Sequence, residues 1–587
     1  MNRWALSIKR LVAVTLLATL SGCPLDGVDP SGIPQTRAEA SRFLTQATFG
    51  PDEASIQRLM DMGYEGWINE QFATQPAFTY RAFMSQRDAE LKLAGSKAGP
   101  AQVLEAFYTR ALTDKAQLRA RLTFALSEIF VVSFVDEVLA VEAPGMVAGF
   151  MDTLDASLPL TYRDLLESIA KSPAMGQYLT FKGNTKEAPA VGHFPDENFA
   201  REVMQLFSIG LYELNNDGSL KLGTTGQPIE AYTSDDVKGL AKVFTGWGNY
   251  RGPAFAALPE INCFAWMKDC RDPAGDYEAM TAYPAYHSTS AKAFLGVTVP
   301  AQDTPSPQTS LNAALDRLAT HPNTAPFFCK QLIQRLVSSN PSPEYIDRVA
   351  TRFTATGGNI KETVKAILMD DEARGPITLL APEHGKLREP VLRLTAILRA
   401  FQFEAPTLTP STPKTAYVTA GSTSDPATSF GQTPLYSPSV FNFFRPGYTT
   451  PQSQAGSRPL VAPEMQLVNE TSVTGYVNAV QDLLVNGIGP NVTTAAGTQR
   501  NITLQLAEQR AMAYDPAMLT QHIADRLTGG SLTEGLRQTM TTALATVQVP
   551  ALNSSQSNGD EINRALDKRV WSAVLMLAVS PEFLVTK

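Results

Sequence analysis

Apolar residues return every three or four positions through one segment after another, and that spacing confines the chain to a helical fold. Leu104, Phe107, Tyr108, Ala111 and Leu112 stand at i, i+3, i+4, i+7 and i+8, which puts them on one stripe of an α-helix. The same pattern predicts helices over 118–132, 311–319, 325–337, 345–353, 360–369 and 387–401. Alternation of the kind a half-buried strand needs is scarce, with 255–258 and 298–300 the only candidates. The expected fold is therefore mainly α, a multi-helical body with long loops and few or no strands. With 587 residues, 44% of them hydrophobic, the chain is long enough for two or more cores.

The N-terminus has a different design. Arg3, Lys9 and Arg10 precede the apolar run Leu11-Val-Ala-Val-Thr-Leu-Leu-Ala-Thr-Leu20. A cationic start and a run this short describe a secretory signal, not a membrane span. Leu20-Ser21-Gly22-Cys23 then closes the segment. Small residues before the cysteine suit a peptidase cleft, and the tetrapeptide matches the bacterial lipobox, in which the cysteine is lipidated. Residues 1–22 are thus expected to be a lipoprotein signal peptide, and 23–36 the lipidated Cys23 with a flexible tether. Pro24, Pro30 and Pro34 argue against continuing any helix there. Beyond the tether we expect a main helical body over 37–404. A Pro-, Ser-, Thr- and aromatic-rich connection follows at 405–450, then a smaller C-terminal helical part at 451–587. The anchor implies a cell-envelope location outside the cytoplasm. In two-membrane bacteria the outer membrane is the more usual destination than the inner.

Charge and cysteine content narrow the partners. The chain carries 49 Lys+Arg against 57 Asp+Glu, a net charge of −8. Loss of residues 1–22, which hold three cations and no acid, takes it to −11. Such a body has no electrostatic reason to bind nucleic acid. Cys263 and Cys270 lie seven apart in a loop-like stretch and could form a disulfide outside the cytoplasm; Cys329, among apolar residues, reads as a buried thiol. No metal site is expected, because no second close pair of Cys or His stands beside Cys263 and Cys270 and the five histidines are scattered. Walker, dinucleotide and nucleophile-elbow signatures are absent, so no cofactor is expected.

Two segments could carry chemistry. In Pro195-Asp-Glu-Asn-Phe-Ala-Arg-Glu-Val-Met-Gln-Leu-Phe-Ser-Ile-Gly210, Asp196 can cap a helix and Gly210 can end it. Glu197, Asn198, Arg201, Glu202 and Gln205 fall on one arc of that helix, opposite Phe199, Val203, Leu206 and Phe207. Glu197 with Arg201, and Asn198 with Glu202, are four apart. Glu202 or Glu197 could serve as acid or base and Arg201 could hold an anion. The bland alternative is a solvated helix face or a polar brace between helices. Arg201 is expected to be at least partly buried with a carboxylate. The second segment is the aromatic, proline-rich loop containing Phe443, Phe444, Arg445 and Tyr448. Together with Asn198, these residues are the binding candidates. Aromatic faces beside polar groups suit a glycan or peptide, although such loops also pack simply as rigid struts. Thr233 and Asp236 read as a capping box, and His321 before Pro322 as a helix-start residue.

Taken together, several of these segments resemble the bacterial family called domain of unknown function 1800. The likeness rests on Arg42-Phe-Leu-Thr-Gln-Ala-Thr-Phe-Gly-Pro51, Glu197-Asn-Phe-Ala-Arg-Glu202, Tyr232-Thr233 with Asp236-Val237, Thr245-Gly-Trp247, His321-Pro322, Lys386-Leu-Arg-Glu-Pro390 and Ser580-Pro-Glu-Phe583. It extends from about residue 41 to the C-terminus. The resemblance implies a helix-rich exported protein and, as a partner, a sulfatase-like protein of another uncharacterised family (domain of unknown function 1501). It implies no activity. Where many relatives have Trp-His-Asn-His-Phe, this chain has Ala125-Leu-Ser-Glu-Ile-Phe130, so histidine-based chemistry does not transfer. Two functional readings follow. One is a membrane-anchored protein that binds or scaffolds an exported partner. The other is a hydrolase or lyase acting on envelope glycans or other polymers through the Glu/Arg cluster, which requires the 197–202 helix to line an open cleft with a second carboxylate.

Overall fold

The computed structural model describes residues 32–264, 274–375, 380–405, 417–453, 456–458, 460–494 and 497–587. Cys23 with the signal and most of the tether, Cys270, and part of the 405–450 connection lie outside them. The protein is mainly α. Helices Pro100–Thr113, Pro307–Ala319, Thr324–Leu336, Pro343–Ala355, Ile360–Met369 and Pro390–Ala400 occupy the periodic segments, usually opened by a proline whose missing N–H costs nothing in the first turn. The 118–132 segment is the exception. Its helix, Gln117–Ser127, stops early, and Ile129, Val131 and Val132 continue as buried non-helical chain, as suits β-branched side chains whose rotamers a helix restricts.

The strand content is small and was only partly legible. Residues 298–300 fall on strand Val297–Val299, paired antiparallel with Lys292–Phe294, whereas 255–258 runs into the 3-10 turn Pro253–Phe255 instead. A hairpin of Ile488–Thr494 and Gly497–Gln505, extended by Gln402–Glu404, forms a three-stranded sheet. Its β-branched residues, Val492, Thr493, Ile502 and Thr503, favour a strand, but Gly489 and Pro490 interrupt the alternation.

One hydrophobic cluster runs from Ala40 to Phe583. The helix Pro516–Thr528 packs on both Arg37–Ala47 and Pro390–Ala400, and strand Val585–Thr586 pairs with Lys386–Leu387. The C-terminal helices therefore share the core of the N-terminal ones. Among the described residues no helix is long and apolar enough to cross a membrane. The helix Ser234–Val243 opens with the Thr233–Asp236 capping box and lies on strand Lys292–Phe294 through Gly239. A Cβ there would sit 1.7 Å from the Ala293 carbonyl oxygen, so only glycine allows this approach.

Candidate functional site

The helix singled out by sequence begins one residue later than a cap at Asp196 predicts: Glu197 holds the N-cap position without a side-chain cap bond, while Asp196 accepts from the Asn198 N–H at 2.8 Å, and the segment ends at Gly210, whose φ is +74°. It is not α-helical throughout: Asn198–Glu202 is α, and Val203–Ser208 is π-helical. The π segment breaks the regular 100° progression beyond Glu202, and Glu202 itself, the last residue of the α segment, is buried. Arg201 pairs with Glu197 at 3.3 Å, but the two side chains are 44% and 37% exposed. Burial of Arg201 is thus overturned, because the inward face is filled by Phe199, Val203 and Phe207 without any call on the guanidinium. Asn198 is exposed and donates to Thr180 Oγ1 at 3.4 Å, so it does not pair with Glu202. Glu202 is buried, its Oε2 has no hydrogen-bond partner, and burial raises its pKa against the pull of Arg201.

The aromatic loop is spent mainly on packing. Phe444 is buried with the Arg335 guanidinium 4.5 Å over its ring, and Phe443 is half-buried. Exposed Arg445 lies over Phe441 at 4.8 Å, and the Tyr448 carbonyl accepts from Ala462 N at 2.7 Å. Cys263 is disulfide-bonded, while Cys329 is a buried free thiol whose pKa burial raises. Asn323 N donates to His321 Nδ1 at 3.1 Å, a turn role at the start of the next helix. Among the described residues no His, Cys, Asp or Glu cluster could hold a metal.

What sequence did not reveal is a buried charge network that gathers residues from six places in the chain. Arg121 and Glu128 come from the helix Gln117–Ser127 and its C-terminal cap, and Arg335 from Thr324–Leu336. Lys386 and Glu389 flank the start of the helix Pro390–Ala400, Gln432 and Asn442 come from irregular chain, and Glu464 from the turn Pro463–Leu467. All are buried. Arg335 contacts Glu128 at 3.5 Å and Lys386 contacts Glu464 at 2.9 Å. Gln432 donates to Glu389 Oε2 at 2.8 Å and accepts from Val391 N at 3.1 Å, and Asn442 donates to Glu128 Oε1 at 3.3 Å. Burial and then the Glu389 carboxylate push Glu128 up to about 8, against Arg335. Burial also acts on Glu389, but Lys386 and Arg121 overcome it and hold that carboxyl below the usual range. The two acids resemble a carboxyl pair sharing one proton. Their side chains are sealed from solvent, however, so the pair braces helices and does not present a reactive group. Lys386 and Glu389 lie in a segment that carries the family likeness, and Asn442 directly precedes the aromatic residues singled out above; Arg121 and Arg335 carried no signal.

A large cleft lies elsewhere, with a volume of about 1430 Å³. The first helix, the Leu527–Thr533 turn and the C-terminal strand form its walls, which include Ile33, Arg42, Tyr64, Arg374, Arg388 and Val585. Arg42 donates to the Arg374 carbonyl oxygen, and Arg374 donates through Nε and Nη2 to the Met369 carbonyl at 3.2 and 2.8 Å. Its two acids are engaged locally: Glu39 accepts from Gln35 N at 2.8 Å, and Glu582 accepts from Thr533 Oγ1 at 2.7 Å. Two smaller clefts, of about 530 and 570 Å³, adjoin the hairpin and the 149–173 helices. Residues 197–202 and 441–448 line none of the three. Arg42 and Arg388 belong to the segments that carry the family likeness, but only the fold brings them to one cleft.

No curated protein and no solved structure matches the chain significantly. The family model described as protein of unknown function (DUF1800) matches residues 42–585, and the chain belongs to that family.

Proposed function

We propose that this protein is a lipid-anchored binding or scaffolding protein of the bacterial cell envelope, attached through Cys23, whose body holds an exported partner. The observation that carries this reading is the separation of the groups that could do chemistry. Arg201 and Glu197 form an exposed pair, and Glu128 and Glu389 are sealed within helices. The 1430 Å³ cleft offers cations and apolar walls, but its acids are tied to their own turns. A cleft of that kind suits holding a ligand better than proton transfer. The sulfatase-like protein implied by the family resemblance is the partner of choice. Co-expression with that protein, extraction in mild detergent and affinity purification of the full chain should recover both in a fixed ratio. Cys23→Ser should release the chain from the membrane fraction. Recovery of the chain alone, as a monomer, would count against the reading.

One observation favours a second reading, a hydrolase or lyase on envelope glycans. Glu202 is a buried carboxyl with a raised pKa beside a π-helical segment, and both features recur at functional sites. Turnover of envelope polysaccharide that disappears in Glu202→Gln, with the fold intact, would support it. Absence of turnover by the parent chain would remove it.

A further inference from the structure

We infer that the cleft between the first helix and the C-terminal strand binds the phosphate headgroup of an acyl-chain amphiphile through Arg388, Arg42 and Arg374. This deepens the binding reading above and rests on it. Arg388 is only 6% exposed, and among the described residues no carboxylate pairs with it. Its Nε reaches Thr586 Oγ1 at 3.4 Å, and its guanidinium lies 4.5 Å over the Phe583 ring. Burial pulls it down to about 10, opposed by Tyr476 and aided by the neighbouring cation Arg393, so it remains charged at neutral pH. A buried guanidinium without an anion is costly, and natural proteins rarely keep one unpaired.

Arg42 and Arg374 repeat the pattern in the same cleft. Both give their protons to backbone carbonyls, Arg374 stacks 4.8 Å over Tyr64, and neither has a carboxylate within ion-pair distance among the described residues. Three guanidinium groups thus face one cleft of a chain whose net charge is −8. The planar guanidinium fork fits phosphate oxygens in pairs. A cationic recess in an acidic body also focuses its field on an incoming anion.

The remaining wall decides for an amphiphile over a bare ion. Ile33 and Leu380 are 43% and 77% exposed, and with Val585 they give the cleft an apolar side. Its volume of about 1430 Å³ exceeds what a small polar ligand fills, since such pockets run to roughly 300–1,000 Å³. Ile33 also follows Cys23 by only ten residues, a stretch that spans at most about 36 Å. A lipid on that cysteine would keep the cleft within reach of other lipids.

The test is calorimetric titration of the full chain, held in a neutral detergent, with three probes: dihexanoyl phosphatidic acid, inorganic phosphate and dihexanoylglycerol. Phosphatidic acid should bind saturably and at least tenfold more tightly than phosphate, and the uncharged glyceride should give no saturable signal. Arg388→Gln and Arg42→Gln should each weaken phosphatidic acid binding tenfold or more. Arg42 is only half-buried, so its variant should melt like the parent and keep the test meaningful if Arg388→Gln misfolds. Three results would overturn the proposal: no saturable binding of phosphatidic acid, equal affinity for inorganic phosphate, or unchanged affinity in both variants. Partner recovery is scored in the same preparations. A partner captured by a chain that binds no phosphatidic acid sinks this inference and leaves scaffolding standing. Phosphatidic acid bound through these arginines by a chain that recovers no partner upholds the site and sinks the scaffolding reading.

Discussion

Replacing Lys386 by Met tests whether the buried network holds the helices together. Lys386 and Glu464 contact at 2.9 Å with side chains 3% and 1% exposed. Lys386 also donates to the carbonyls of Gln334 and Arg335, at 2.9 Å each. Without the ammonium group, the 3.5 Å contact from Ser339 Oγ is the only hydrogen bond left to Glu464 among the described residues, and two buried carbonyls lose a donor. Breaking a buried pair on one side costs about 3–5 kcal/mol. Unfolding entropy of about 2.1 cal/mol/K per residue, taken over roughly 550 residues as one cooperative unit, sums to about 1.2 kcal/mol/K. The melting temperature should therefore fall by roughly 3–4 °C in scanning calorimetry. Lys386→Met combined with Glu464→Leu should regain most of that loss, because an apolar pair of similar volume replaces a buried ion pair at little cost. A single variant that melts with the parent would refute the reasoning, as would a double variant no better than the single.

The same calorimetry separates the other expectations. Arg201→Ala breaks only an exposed pair and should cost no more than about 1 kcal/mol; a larger loss would mean that Arg201 braces more than Glu197. Glu128 is pushed up from 4.5 to about 8 by burial and Glu389, so its contribution is fully present below pH 4.5 and fades as pH rises through about 8. Glu128→Gln should flatten the decline in melting temperature between pH 5 and 9, and an unchanged slope would contradict the assignment. Burial lowers His287, His321 and His384 from 6.5 to about 4. These three contribute stability above pH 6.5 that is lost as pH falls through about 4. Proton uptake on unfolding at pH 5, measured by calorimetry in buffers of different ionisation enthalpy, should be lower in a variant carrying His287→Gln, His321→Gln and His384→Gln than in the parent; equal uptake would deny that the three are held neutral. Gly239→Ala should destabilise by about 1–3 kcal/mol through overpacking against Ala293, although helix propensity alone would favour alanine by about 1 kcal/mol. A stabilised variant would show that the helix can lift off its strand without penalty.

Sequence determined the helices because their cause is local. The stripe through Leu104, Phe107, Tyr108, Ala111 and Leu112 fixes that Pro100–Thr113 is a helix, although tertiary packing buries it on its polar side as well, at Glu105, Thr109 and Arg110, and the Thr233–Asp236 box fixes where the helix Ser234–Val243 starts. The segments at 165–175, 364–373 and 574–583 look alike for an equally local reason. In each, a helix ends and a short one starts: Pro173–Tyr178, Asp371–Arg374 and Pro581–Leu584. The family likeness was legible on the same footing, since its motifs are short ordered strings.

Tertiary structure decided what the charged residues are for. The spacing of Glu197, Arg201 and Glu202 makes one polar arc, but the packing around the α segment Asn198–Glu202 buries Glu202 at the edge of that arc and leaves Arg201 in solvent. No period in the sequence encodes which edge of the arc is covered. Residues 121, 128, 335, 386, 389 and 464 meet in one network, and 42, 374 and 388 line one cleft, across separations of hundreds of residues. A helix repeats its environment every 3.6 residues and so writes its pattern into neighbouring positions. A charge's partner, or the lack of one, depends on which distant segments the fold brings beside it.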